Sequence, residues 1–290
     1  MLVCRVSLRG GEGQRSSVFG QRSAGMVLTV SAEDILSKPQ PAFDERVRYG
    51  GDPNQFIEVR VPRGSGAHAA LINIHGGFWR ARYDLAHGGH LCEALRGAGL
   101  ATFNVEYRRV GDAGGGWPGS FEDIRAAYRF VEQRAASLHV DGSRIIVMGH
   151  SAGGQLALCL AAHESAVRDV ISLAGVLDLK KAFALHLSND AVAEFLGGKP
   201  ADVPEHYREA DPMEIAVAQA RQWIVVGKDD DVVPPELSRE YVRAKKSAKE
   251  NVELVEIAGA GHFELIDPGS QAFARVRETV TAAGAVPSTR

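Results

Sequence analysis

Three widely separated residues have the types needed to move an acyl group. Ser151 stands in Gly149-His150-Ser151-Ala152-Gly153, a G-x-S-x-G pattern. Asp230 stands in Gly227-Lys228-Asp229-Asp230-Asp231-Val232-Val233-Pro234, and His262 in Gly259-Ala260-Gly261-His262-Phe263. A serine hydroxyl is a weak nucleophile at neutral pH. It needs a base to take its proton, and the base needs an acid to fix its tautomer and stabilise its cation. The chain order Ser…Asp…His is one in which such sets occur. The spacing Gly-x-x-Asp-x-x-Val-Pro selects Asp230, leaving Asp229 and Asp231 as solvated or turn-capping residues. Asp178, one strand earlier, is the alternative acid, because a loop from that strand end also reaches the histidine. Of ten histidines, only His262 sits in a loop after the last expected strand. His150, next to the nucleophile, is expected to point away in the turn and to serve packing.

G-x-S-x-G recurs by chance, so its surroundings must carry the argument. The apolar run Ile145–Val147 leads into it, and a helical pattern with Leu156 and Leu160 leaves it. Strand, tight turn and helix would present Ser151 at an apex. Gly149 and Gly153 are the residue type that lets strand and helix approach there. Backbone N–H groups at the helix start would face a developing oxyanion. A second source of donors follows the apolar run Ala69–Ile74, which ends in His75-Gly76-Gly77-Phe78-Trp79. Two glycines after a buried strand let backbone pass close to a ligand, so Gly76 and Gly77 are oxyanion candidates. Phe78 and Trp79 are expected in a pocket wall, with Trp79 and Phe263 framing an acyl or aryl group. A second His-Gly-Gly, at His87-Gly88-Gly89, follows a charged stretch and is expected to be structural.

The rest of the chain must position these groups. Asp44–Tyr49 and Phe56–Pro62 predict a hairpin about the Gly50–Asn54 turn. Ala69–Ile74, Leu100–Val105, Ile145–Val147, Val170–Leu173, Trp223–Val226 and Val252–Ile257 predict further strands, alternating with helices. Those helices include Leu91–Ala98, Phe121 to about Ala136 capped by Gly119 or Ser120, Pro235–Ala248 and Ser270–Ala282. The alternation predicts a mostly parallel sheet with helices on both faces. Active groups then gather at the carboxyl edge, where each candidate loop lies. Glu106-Tyr107-Arg108-Arg109 predicts a solvated or ion-paired loop. Residues 179–220 break the rhythm with Gly197-Gly198, Pro200, Pro204 and Asp211-Pro212, too long for a simple connection. They are expected to form a small cap insert in a single domain over 31–290.

The 290 residues carry a net charge of −3, with 45% hydrophobic and 24% charged residues. This composition is that of a globular chain with a sizeable core, and it argues against nucleic acid as a partner. No apolar stretch approaches a bilayer span. Cys4, Cys92 and Cys159 are too few and too scattered for a disulfide framework and suit a reducing, cytoplasmic compartment. Residues 1–30 are expected to be a disordered extension, with Met26 as an alternative start. There is no H-E-x-x-H, and the histidines lack metal-ligand spacing. No cofactor is expected. The expected partner is a small-molecule ester or amide, without nucleic acid or membrane, and a homodimer is left open.

These motifs give the chain a resemblance to α/β-hydrolases over about residues 40–285. The His75–Trp79 loop, the Gly149–Gly153 turn and Gly261-His262-Phe263 together resemble the kynurenine formamidase (arylformamidase) and related carboxylesterase group. The resemblance implies oxyanion donors at Gly76, Gly77 and the Ala152 N–H, and an aromatic pocket residue at Trp79. It implies a serine hydrolase acting on a small carboxylic ester or an aryl formamide. Esterases of plant cell-wall or acetylated carbohydrate esters share the H-G-G-x-W loop. A receptor on the same fold that binds without turnover is the alternative from another class.

Overall fold

The computed structural model describes residues 32–64 and 66–285. The expectations for residues 1–30, the start at Met26 and Cys4 fall outside them. Helix α1 (Ala32–Ser37) precedes the hairpin of β1 (Glu45–Arg48) and β2 (Phe56–Arg60). The hairpin turn closes through Tyr49 N–H to Gln55 O, 3.2 Å, and Asn54 N–H to the Asp52 carboxylate, 2.9 Å. Then come β3 (His68–Ile74), α2 (Gly89–Gly97), β4 (Ala101–Val105), α3 (Gly119–Gln133), β5 (Val140–His150), α4 (Ala152–His163) and β6 (Asp169–Leu173). Three short helices follow, α5 (Leu179–Ala184), α6 (Ala191–Leu196) and α7 (Pro204–Ala210). The chain ends with β7 (Arg221–Gly227), α8 (Pro235–Ser247), β8 (Val252–Ile257) and α9 (Phe273–Ala285).

The strands form one sheet in the order β1-β2-β4-β3-β5-β6-β7-β8. β2 runs antiparallel to β1 and β4, and the pairs from β4 through β8 are parallel. The alternation of apolar strands and helices therefore yields the expected mostly parallel sheet. Side chains of β3 show how it is clothed. Ala70, Ile72 and Ile74 enter one core with α3, α4 and α8 residues such as Tyr128, Leu156 and Leu237. Ala69 and Leu71 enter the other core with Leu91 and Leu95 of α2 and Val276 and Val280 of α9. Period-two alternation along a strand covered on both faces makes a continuous apolar run, as read for Ala69–Ile74. β8, at the edge, instead buries only Val252 and Val255 and leaves its glutamates Glu253 and Glu256 exposed.

The capping of α3 differs from expectation. α3 starts at Gly119 with Pro118 at its cap, and Ser120 caps nothing. The Ser120 hydroxyl instead donates to Arg108 O at 2.5 Å and accepts from Gly116 N–H at 3.1 Å, tying the glycine-rich loop to the helix. Cys92 and Cys159 are free thiols and both buried. No helix among the described residues is long and apolar enough to cross a membrane.

The chain runs outward from β3 to β4 and then returns across β3 to β5. Loops leaving β3 and β5 thus diverge at a topological switch point, where such sheets open a crevice. Strand and helix meet there with little room. A Cβ on Gly149 would lie 2.0 Å from Gly153 O, and one on Gly153 would lie 2.1 Å from Ile74 O. Gly149→Ala is expected to lower stability by about 3 kcal/mol, read as a lower urea midpoint at unchanged slope.

Candidate active site

Ser151 sits between β5 and α4 at φ 56° and ψ −120°. For a residue with a Cβ this is strained backbone, maintained only by its surroundings. Its N–H donates to Leu173 O at 2.8 Å, and its carbonyl accepts from Gly154 N–H at 2.9 Å. The turn is thereby fixed to β6 and to α4. Ala152 is the first residue of α4, so its N–H has no intrahelical acceptor.

The loop after β3 lies against this apex. A Cβ on Gly76 would be 2.9 Å from both His150 O and Ser151 Cβ, so only glycine fits. Gly77 has φ 105°, and a side chain there would strike Tyr83. Phe78 and Trp79 follow at φ 49° and 56°. A buried network supports the loop from behind. His75 Nδ1 lies 2.8 Å from Gly76 O, and His75 Nε2 lies 3.1 Å from Glu106 Oε1. Tyr107 stacks on the His75 ring at 4.5 Å and donates from its hydroxyl to His75 O at 3.1 Å. Arg109 pairs with Glu106 at 3.2 Å, and Leu85 N–H donates to the other Glu106 oxygen at 3.0 Å. The group at 106–109 is therefore ion-paired as expected, but Glu106 and Arg109 are buried rather than solvated.

On the other side, His262 donates from Nδ1 to Asp230 Oδ2 at 2.8 Å, both side chains being buried. Asp230 Oδ1 accepts from Val232 N–H at 2.9 Å and Val233 N–H at 2.8 Å. One carboxylate oxygen is thus held by backbone and the other orients the imidazole. Asp178 is not brought to His262. It is the N-cap of α5, accepting from Lys181 N–H at 2.8 Å. Asp229 and Asp231 are exposed. The loop of His262 rests on Gly227, where a Cβ would come within 2.3 Å of Ala260 O.

Ser151, His262 and Gly77 line one cavity of about 230 Å³, with Phe78, Tyr83 and Phe263 as its aromatic walls. Trp79 is not among them. It is fully buried, stacks on Phe195 of α6 at 4.5 Å and donates from Nε1 to Gln155 Oε1 at 3.0 Å. The expectation that it frames a bound group is thereby corrected, because its left-handed backbone turns it under the loop into the core. His150 also departs from expectation. It lines the cavity, its ring lies 4.5 Å from that of His262, and Nε2 donates to His262 O at 3.0 Å. Burial, reinforced by the neighbouring His262 and His87, holds its pKa well below the ordinary value.

His87, expected to be structural, faces the same cavity. Burial, and next His75, lower its pKa from 6.5 to about 3. It follows no strand, so the strand-end rule passed over it; its register in a short helical turn after Asp84 carries no periodic signal. Leu36, Arg82, Ser188 and Val232 complete the lining and were likewise missed. Ser188 belongs to the 179–220 segment, which also contacts the loop after β3 through Arg80 to Glu194, 2.7 Å, and to Ser188, 2.9 Å.

The elbow, the strand order and the clustered loops define an α/β-hydrolase of the carboxylesterase group. Within it, the chain belongs to the BD-FAE family, whose model matches residues 58–244. A versiconal hemiacetal acetate esterase of Dothistroma septosporum is 28% identical over 153 residues, 51% of this chain and 46% of that protein. A probable isoprenylcysteine alpha-carbonyl methylesterase of Arabidopsis thaliana is 24% identical, over 77% of this chain and 58% of its own. The chain thus spans about half the length of these curated relatives. A truncated carbohydrate esterase from gut microbiota superposes with a TM-score of 0.73 at 23% identity, covering 84% of this chain and all but 1% of its own, a likeness of fold.

Two outcomes follow from this packing. Trp79→Ala should cost about 3–5 kcal/mol in urea unfolding, whereas Trp79→Phe should leave relative kcat/KM for short and aromatic esters unchanged. For His87, the unfolded chain takes up a proton near pH 6.5 and the folded protein only near 3. The unfolded state binds more protons between these values, so stability is undiminished above 6.5 and falls as pH drops toward 3. His87→Asn should flatten the fall in Tm across that window, measured by calorimetry.

Proposed function

We propose that the chain is a serine carboxylesterase acting on small acyl esters, with Ser151, His262 and Asp230 as its triad. The observation that carries this reading is one cavity lined by a serine at a left-handed apex and by an imidazole whose far nitrogen is fixed on a carboxylate. With Nδ1–H given to Asp230, Nε2 is the nitrogen left to act as base. Ser151 Oγ attacks the ester carbonyl while His262 takes its proton. The C–O electron pair moves to the carbonyl oxygen, which is received by the N–H groups of Ala152 and of Gly77 or Gly76. Removing one such donor costs roughly 3 kcal/mol of barrier in comparable sites. The tetrahedral adduct expels the alcohol, which takes its proton from His262. Water, deprotonated by His262, then attacks the acyl-serine and releases the acid.

The size of the cavity, about 230 Å³, favours short acyl groups, in keeping with the acetate esterase named among the relatives. The aromatic walls Phe78, Tyr83 and Phe263 favour an aryl formamide as a second substrate class. We take residues 179–220 as a cap on the single domain, since Ser188 lines the cavity.

Ser151→Ala is expected to reduce kcat on p-nitrophenyl acetate about 10,000-fold or more with an unchanged circular dichroism spectrum. His262→Ala should be about as severe, and the double variant no worse than the worse single one, because the pair acts as a unit. Asp230→Asn should retain folding but lose most turnover; full activity in that variant would remove the acid from the scheme. Parallel assays with short p-nitrophenyl esters, feruloyl esters and N-formyl-kynurenine rank the substrate classes.

A further inference from the structure

The charge of the cavity wall carries information about the substrate. Among the described residues, the lining includes no aspartate or glutamate. Its one arginine is Arg82, which is exposed at the rim. Arg80, two residues earlier, is committed to Glu194, Ser188 and Asn189. Arg82 has no such engagement: among the described residues it makes no ion pair, and its guanidinium lies over the Tyr83 ring at 4.7 Å. That stacking orients a planar, five-donor group over an aromatic wall without using its N–H groups. The nearest carboxylate in sequence, Asp84, is occupied in capping, accepting from Ala86 N–H at 2.9 Å. Asp230, below the cavity, is consumed by His262 and two backbone N–H groups. His87 and His150, the imidazoles beside it, are kept neutral by burial.

The side of the substrate that Arg82 meets follows from the strand order. The leaving alcohol must lie beside His262, whose neighbours Val232 and Phe263 belong to the loops after β7 and β8. Arg82, Phe78 and Tyr83 come from the loop after β3, across β5 from those strands. The acyl part therefore extends toward Arg82. Resting on the serine esterase reading, we infer that Arg82 is a specificity-determining residue that recognises a carboxylate on the far end of a short acyl chain, so that half-esters of small dicarboxylic acids are preferred over neutral esters.

The test uses ethyl hydrogen glutarate and ethyl glutaramate, which differ only in carboxylate against carboxamide, followed by proton release in the full-length protein. The carboxylate ester should have kcat/KM about fivefold above the carboxamide ester, the size of an exposed but oriented ion pair. The preference should shrink as salt is raised past about 0.1 M, where screening acts over roughly 10 Å. In Arg82→Gln the ratio of the two esters should fall to near one, and Arg82→Lys should restore part of it. Calorimetric binding of the two esters to Ser151→Ala, with and without Arg82→Gln, reads the same preference without turnover. A failed esterase reading would leave this binding ratio intact while abolishing hydrolysis. Equal binding of the two esters, or a preference that survives Arg82→Gln, overturns the role of Arg82 whatever the rates.

Discussion

A residue with a side chain is held at φ 56° only because backbone fills the space around it on several sides. Gly149 and Gly153 meet within a carbonyl's reach, Gly153 presses on the end of β3, and Gly76 presses on Ser151 itself. None of the three can carry a Cβ without moving main chain. The crowding keeps the strain from relaxing, because rotating Ser151 toward ordinary dihedrals would drive these segments into each other. The loop after β3 and the start of α4 are thereby brought to one point.

What stands behind the loop is as strict. Glu106 is buried, yet its oxygens meet His75, Arg109 and the N–H groups of Leu85 and Tyr107. A buried carboxylate with fewer partners would be costly, and one so fully engaged ties the end of β3, the turn at Leu85 and the stretch after β4 together. The site thus has one wall fixed by a polar network after β3 and β4, and another fixed by Asp230 and the Val232 and Val233 amides. Between them, His150 joins the elbow to the histidine loop by donating to His262 O. Each loop leaves a different strand, so side chains at the rim vary without disturbing this bracing.

Much of this was legible in the chain. Apolar runs that are buried on both faces read as strands, and the alternation with helices fixed the class of fold. Gly76, Gly77, Ser151, Asp230, His262, Phe78 and Phe263 all fall at strand ends, and the structure brings them to one cavity or its base. Strand-end position was no guide to which way a side chain turns. Trp79 neighbours Phe78 in sequence, but consecutive left-handed residues send one ring into the cavity and the other beneath it. Leu36, Arg82 and His87 were invisible because they reach the site from irregular or short helical segments, where neither period two nor 3.6 applies. Ser120 looked like a helix cap by type, but the loop before it offered the hydroxyl better partners.

The two described cysteines have a consequence of their own. Cys92 lies on the buried side of α2 and Cys159 on that of the elbow helix α4, where Gln155 Nε2 and Ala210 O hold its sulfur. Burial pushes the Cys92 thiol up to about 12 and raises that of Cys159 further. Almost no thiolate is present at neutral pH, so alkylating agents and peroxide find nothing to attack at these two sulfurs while the fold is closed. The rate at which such reagents label them becomes a clock for opening of the two helical layers, one sulfur reporting from each face of the sheet.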